Sequence, residues 1–310
     1  MIKLSIVSTL YKSAKEIGDF HKQVTAVAQK FAGDDYEIIL VNDGSPDNCY
    51  EIALQIAQSD RHIVLVDLSR NFGQHKALMT GLMLTHGDLI MMMDSDLEED
   101  PRWFNEFYEV MCQQHHDIVV GVQKLRKGGI FERYTGDFFY YIFNRLSGFD
   151  YPRNTITARL MTRRFVDALL LHKESELFLG GLTYSTGFSH GFVYITKKHS
   201  SETSYTLRKK LKLVINSITS FSSMPLYVIS CMGIVLFVLA VIAASYMIYT
   251  RFTQARIIEG WVSLFIGIVA LGGLQLSSLG IIGLYIAKIF IETKKRPLTI
   301  IRSIYHKEPR

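Results

Sequence analysis

The sequence predicts an α/β protein, a mainly parallel sheet flanked by helices, followed by a C-terminal two-helix transmembrane region. Three observations carry that prediction. Over the first 125 residues, short β-prone apolar runs alternate with segments of helical period, the pattern of a parallel sheet covered on both faces. Two later stretches, 226–249 and 261–287, hold no charged side chain over 24 and 27 residues, more than the roughly 20 needed to cross a bilayer core. Charge is also divided. Residues 1–200 carry 21 Lys+Arg against 25 Asp+Glu, whereas residues 201–310 carry 13 against 4. Basic charge beside apolar sequence points to a membrane surface rather than to nucleic acid. With 48% apolar and 20% charged residues, the 310-residue chain is neither disordered nor collagen-like. Its three cysteines, Cys49, Cys112 and Cys231, are scattered and odd in number, which suits a reducing compartment and no disulfide framework.

The elements follow in order. Residues 4–8 read as a strand and 13–31 as a polar helix. Residues 36–41 form a second strand ending in NDGSPD, 47–59 a helix, 62–68 a strand and 74–86 a helix. Residues 88–93 form a fourth strand ending in DSD, 101–114 a helix and 117–122 a fifth strand. Both acidic motifs therefore sit at carboxyl ends of strands, where open α/β sheets bind ligands. There is no GxGxxG after the first strand and no GxxxxGK[ST], so a dinucleotide-binding or P-loop enzyme is not expected.

Aromatic residues mark the ends of the apolar stretches: Tyr227, Tyr246, Tyr249, Trp261 and Tyr285. Arg208, Lys209, Lys210 and Lys212 precede the first, and Lys288, Lys294, Lys295 and Arg296 follow the second. The loop between has only Arg251 and Arg256 against Glu259. The positive-inside rule then puts both flanks in the cytoplasm. The N-terminus lacks a signal-peptide h-region, so the first 200 residues are expected to stay there. The expected organisation is a cytoplasmic catalytic domain over 1–205, a basic juxtamembrane amphipathic segment over 206–224, two transmembrane helices over 225–290 and a cytoplasmic tail over 291–310. Gly273/Ser277 and Gly283/Ala287 are small-xxx-small pairs that favour close helix approach and hence a homo-oligomer.

Each motif has two readings. Asp94-Ser95-Asp96, after LIMMM, can aim two carboxylates at one hard cation, since Mg²⁺ and Mn²⁺ prefer oxygen ligands and substrate phosphates. It serves equally well as an acidic first turn for the helix near Pro101. Asn42-Asp43-Gly44-Ser45-Pro46-Asp47 is either turn chemistry with Asp47 as a cap, or a carboxylate for a base or ribose. Arg70-Asn71-Phe72-Gly73-Gln74-His75-Lys76 is a glycine turn entering a helix. Arg126, Lys127 and Arg133 are a solvated loop or a phosphate site, for which arginine is well shaped.

Together and in this order, LSIVSTLY, NDGSPD, RNFGQHKAL, MDSDLEEDP, FYYIFNRLSG, RLMTRRFVDAL, ETSYTLRKKL, SFSSMPL and IGLYIAKIFIETKKRP resemble glycosyltransferase family 2, in its polyisoprenyl-phosphate glycosyltransferase branch. The resemblance implies a GT-A fold. It implies that Asp43 holds the nucleoside, with Tyr11, Lys76 and Asp94 also in the donor site. Asp94 and Asp96 would be the D-x-D pair and would hold Mg²⁺ or Mn²⁺ together with Glu98, with Asp96 ahead of Asp94 as the direct ligand. Arg126 and Arg133 match arginines that bind phosphate near the acceptor, Arg159 the Arg of D-F-R-L-M, and Tyr205 the Tyr of G-E-S-K-Y. With Asp94 and Asp96, the arginines 126, 133 and 159 make up the expected catalytic set. The chain departs from the pattern at Thr157, where the family has Asp, at Tyr11-Lys12-Ser13 in place of Y-N-E, and at Lys198. QxxRW, the mark of processive synthases, is absent, which favours a single transfer.

The implied reaction is inverting transfer of one sugar from a nucleotide-diphosphate sugar to a polyprenyl phosphate, undecaprenyl phosphate in a bacterium, at the cytoplasmic membrane face. The product would supply cell-surface glycan synthesis, such as lipopolysaccharide or O-antigen. Two alternatives stand beside it: transfer to a hydroxyl of a lipid-linked saccharide, and a non-catalytic membrane scaffold or translocator.

Overall fold

A computed structural model describes residues 2–124, 152, 154–174, 179–196, 224–254 and 260–307. The chain divides into two compact units. The first is an eight-stranded sheet with its helices. Its strands are β1 (Leu4–Leu10), β2 (Tyr36–Asn42), β3 (Ile63–Leu68), β4 (Leu89–Met92), β5 (Ile118–Gln123), β6 (Thr155–Thr162), β7 (His190–Ile195) and β8 (Ile301–His306). They lie in the order β7-β5-β6-β4-β1-β2-β3-β8.

β4, β1, β2 and β3 are mutually parallel, so their carboxyl ends share one edge. β6 runs antiparallel to β4 and to β5, and β7 is parallel to β5. The sheet is therefore mixed but mainly parallel. Every residue of β1 and β2 is buried, as expected of central strands covered on both faces.

The helices supply that cover. Ile17, Phe20, Val24, Ala28 and Ala32 recur at helical spacing along α1 (Ile17–Ala32) and are buried together. α2 (Cys49–Ser59) buries only small residues, Cys49, Ala53 and Ala57, each one turn apart. α3 (Gln74–Met83) buries everything from Ala77 to Leu82, and α4 (Trp103–Gln114) buries Phe104, Phe107 and Met111. Phe20, Phe104 and Phe107 are among the largest fully buried side chains, and truncating one to alanine costs about 3–5 kcal/mol. α5 (Arg163–Leu170) follows β6 directly, capped by the Thr162 hydroxyl, which accepts from the Phe165 amide; α6 (Leu179–Ser185) is short.

The last strand departs from the sequence expectation. Residues 291–310 were expected as a tail, yet β8 pairs antiparallel with β3 and closes that side of the sheet. The Ser69 amide donates to the Ile300 carbonyl at 2.9 Å, and the hydroxyls of Thr80 and Thr299 are 2.7 Å apart. Residues 296–307 thus belong to the sheet unit although they follow both apolar helices.

The second unit contains α7 (Met224–Gln254) and α8 (Trp261–Thr293). Both are long and apolar enough to cross a membrane. Mean hydropathy is 2.8 over Leu226–Ala243 and 1.7 over Leu271–Thr293, and neither window is buried. Pro225 sits in the first turn of α7, where a missing N–H costs nothing. The basic segment at 208–212 and the loop charges Arg256 and Glu259 lie outside the described residues.

Candidate active site

Parallel strands deliver their connecting loops to one edge, and the predicted motifs gather there. The loop after β1 carries Tyr11-Lys12-Ser13, that after β2 Asn42 to Asp47, that after β3 Ser69 to Gly73, and that after β4 Asp94-Ser95-Asp96. Arg159 of β6 is the register partner of Met92, two residues before Asp94, so it reaches the same edge.

The first three loops are bonded into one shelf. Asp43 is buried, and its Oδ1 and Oδ2 accept from the amides of Phe72 (2.7 Å) and Gly73 (3.0 Å). The Asn71 side chain donates to the Asp43 carbonyl at 3.0 Å. Burial raises the Asp43 carboxyl above the ordinary range, against those two amides and the Arg70 charge, which pull it down. A glycine is required at position 44. Its φ is +57°, and a Cβ there would lie 2.5 Å from both the Arg70 carbonyl carbon and the Asn71 nitrogen.

Asp47 ties the same turn to the loop after β1. Its Oδ2 accepts from the Ala14 amide at 3.1 Å, while Oδ1 takes the Ser45 hydroxyl and the Cys49 amide. Burial pushes its carboxyl up, but the bonds from Ser45, Cys49 and Ala14 outweigh it and hold the group below the usual range. Asp47 therefore bridges two loops as well as bonding the first turn of α2, more than the helix cap expected from sequence. The Lys12 amide donates to Ser45 Oγ at 2.8 Å, with Lys12 itself at φ 57°.

The D-x-D loop is held from three sides. The Asp94 amide donates to Glu99 Oε2 at 2.9 Å, and Gln74 Nε2 donates to Asp94 Oδ1 at 2.6 Å. The intervening Ser95 is buried and donates to the Thr9 carbonyl at 2.9 Å. Its burial turns the two flanking carboxylates away from the core. Asp96 is exposed and accepts the Glu98 amide at 3.0 Å, with Leu97 left-handed at φ 59°. Glu99 is fully buried, and its Oε1 accepts from the amides of Thr157 (3.1 Å) and Ala158 (3.2 Å). One carboxylate thus couples the acidic loop to β6 at Thr157 and Ala158.

Tyr11, Asp43, Lys76, Asp94, Asp96, Glu98 and Arg159 all lie along this rim. Tyr11 is 47% exposed, and Lys76 stands in the first turn of α3. Arg159 is buried, and its guanidinium donates to the carbonyls of Thr157 (3.1 Å) and Ile156 (3.2 Å). Arg126, Arg133, Lys198 and Tyr205 lie outside the described residues. Gln74 and Glu99, which orient Asp94, are not among the candidates read from sequence. Gln74 stood inside the quoted RNFGQHK motif, but its bond to Asp94 spans 20 residues.

Among the described residues, no three His, Cys, Asp or Glu side chains converge closely enough to hold a metal ion by themselves. Asp94 and Asp96 are hard oxygen donors two residues apart, and that donor set fits Mg²⁺ or Mn²⁺ completing its shell with water and substrate phosphate.

The sequence model described as "Glycosyl transferase family 2" matches residues 5–170. A Mycobacterium tuberculosis protein named as a glycosyltransferase is 40% identical, the match covering 98% of this chain and 89% of that one. The "Prophage bactoprenol glucosyl transferase homolog" of Escherichia coli K12 is 31% identical over 98% of this chain and 99% of its own. The "Bactoprenol glucosyl transferase" of Shigella phage SfX is 30% identical over 97% and 99%. Among solved structures, mannosyl-3-phosphoglycerate synthase from Rubrobacter xylanophilus overlays with a TM-score of 0.49 at 14% identity, covering 71% of this chain and 73% of that one. The chain belongs to glycosyltransferase family 2.

Proposed function

We propose that this glycosyltransferase moves a single sugar, with inversion, from a nucleotide-diphosphate sugar to a polyprenyl phosphate at the cytoplasmic face of a membrane. The observation that carries the reading is the full-length similarity to bactoprenol glucosyl transferases, which extends through both apolar helices. The acidic rim supports the donor half of the reaction, and the two apolar helices support a lipid acceptor.

In this reading Asp96 and Asp94 hold a divalent cation, with Glu98 beside them. When bound, that cation neutralises the charge that builds on the departing diphosphate. The remaining chemistry belongs to the chain. Asp43 fixes the Phe72–Gly73 turn, so the shelf facing the nucleoside is set before substrate arrives. Gln74 and Glu99 orient Asp94 from its side chain and its amide, so little reorganisation is left for the transition state. The acceptor phosphate, with a second pKa of about 6, is mostly a dianion at neutral pH and is itself the nucleophile. No strong general base is needed, and Thr157 in place of the family Asp is compatible with turnover.

The test incubates membranes holding the full chain with labelled nucleotide sugars, Mg²⁺ or Mn²⁺ and undecaprenyl phosphate, then extracts lipid. Acid-labile labelled polyprenyl phosphate is expected. Label found only on a longer glycolipid, or none with any donor, overturns the reading in favour of a saccharide hydroxyl acceptor or of a non-catalytic role.

A further inference from the structure

Asp67 is a buried carboxylate near the carboxyl end of β3. Its Oδ1 accepts from Asn42 Nδ2 at 2.7 Å, and its Oδ2 lies 3.0 Å from Arg302 Nη1. Arg302 comes from β8, 235 residues along the chain and beyond both apolar helices. The same guanidinium donates through Nη2 to the Ser69 carbonyl at 2.8 Å. One side chain therefore bridges the end of β3 twice, once through a carboxylate and once through the main chain.

Both contacts lead into the donor shelf. Asn42, oriented by Asp67, accepts the Ser45 amide on its Oδ1 at 3.2 Å and immediately precedes Asp43. The chain leaving Ser69 runs through Arg70 and Asn71 to Phe72 and Gly73, whose amides hold the Asp43 carboxylate. A buried carboxylate must be compensated where it sits, so Asp67 needs a cation to keep its grip on Asn42. The planar fork of arginine can reach a carboxylate and a carbonyl together, which the point charge of lysine cannot.

We propose that Arg302 is a positioning residue for the glycosyl donor, so that the strand following the membrane helices is a working part of the donor site. It touches no reacting atom. It sets the geometry of the loops after β2 and β3 through Asp67 and Ser69. Arg302 lies outside the segment matched by the family's sequence model. The inference rests on the reading of this rim as the donor site.

The experiment uses the full chain in lipid nanodiscs, as wild type, Arg302→Ala and the milder Arg302→Lys. Hydrogen–deuterium exchange is followed in peptides covering 42–47 and 69–74, with 85–89 at the opposite edge of the sheet as control. Exchange at 42–47 and 69–74 should quicken about tenfold in Arg302→Ala, the scale of one charge-assisted hydrogen bond, with partial rescue in Arg302→Lys. The control peptide should not change. With labelled UDP-glucose, UDP-N-acetylglucosamine or GDP-mannose, whichever the wild type uses, donor KM should rise about tenfold while kcat and the KM for undecaprenyl phosphate stay within about twofold. Unchanged exchange at both loops, equal quickening at the control edge, or a rise in acceptor KM alone overturns the proposal. If Arg302→Ala does not fold, Arg302→Lys decides by the same readouts. If wild type transfers sugar from no nucleotide donor at all, the functional reading is what fails, and the exchange comparison still decides the role of Arg302.

Discussion

The two edges of the sheet are both rich in carboxylates and treat them differently. At the amino edge, carboxylates sit against groups that carry or can take a proton. Asp60 faces His21 (2.9 Å) and His62 (2.8 Å), Asp34 pairs with Arg61 and faces His62, and Asp117 pairs with Arg164. Glu37, fully buried, accepts the Ser5 hydroxyl and the His86 amide, each at 2.6 Å. At the carboxyl edge main-chain amides bond Asp43 and Glu99 and the Gln74 amide bonds Asp94, while Asp67 and Asp100 are paired there with Arg302 and Arg102. A neutral donor fixes the direction of an acidic group without adding a charge of its own, and at this edge such donors fall on the Asp43 turn and the D-x-D loop. The contrast separates a fastening edge from a working edge.

That separation can be broken by substitution. The largest expected effect is from Asp96→Ala, which should cut transfer by at least about 100-fold, the scale of losing a main electrostatic contact, with the thermal midpoint unmoved. A stable, fully active variant would erase the distinction. Gly44→Ala comes next. Its Cβ must displace the Arg70–Asn71 peptide, so transfer should fall about tenfold, a misplacement effect visible as raised donor KM. Glu37→Ala, at the fastening edge, should do the reverse. It should lose about 3 kcal/mol in denaturant unfolding, from stranded buried donors, while the folded fraction keeps its kcat/KM.

The smallest effect sharpens the same contrast through pH. Burial pushes the Asp60 carboxyl up, but bonds from the His62 amide and from the His21 and His62 rings outweigh it, so its folded pKa lies below the ordinary value. The stabilisation is therefore complete above the ordinary carboxylate range and is lost as pH falls through the depressed pKa. Asp60→Asn should cost roughly 1 kcal/mol at neutral pH, and the gap to wild type should close on acidification in a series of thermal melts.

The sequence and the structure agree most where signals are local. β1 to β5 and the helices between them follow from apolar runs and helical periods, and their bounds move by only a few residues. Asp43, Asp94 and Asp96 stand just past the ends of β2 and β4, a placement the alternation of strands and helices already gives. What escaped is long-range. Glu99 reads as one more acid in LEEDP, and only its burial against Thr157 and Ala158, 58 and 59 residues away, makes it a tie between loops. β8 is a six-residue segment with mixed basic and apolar side chains, and nothing local tells which strand it will join. Pairing between Ile301–His306 and β3 is a property of the closed sheet, since an edge strand takes much of its stability from its neighbour.

The most direct measurement of the account is Mn²⁺ binding followed by electron paramagnetic resonance on the full chain, with and without UDP or GDP, for wild type and Asp96→Ala. Wild type should take up about one ion, tightened by the nucleoside diphosphate, and Asp96→Ala should lose that uptake while remaining folded. Equal nucleotide-dependent uptake by both proteins would contradict the assignment of the rim.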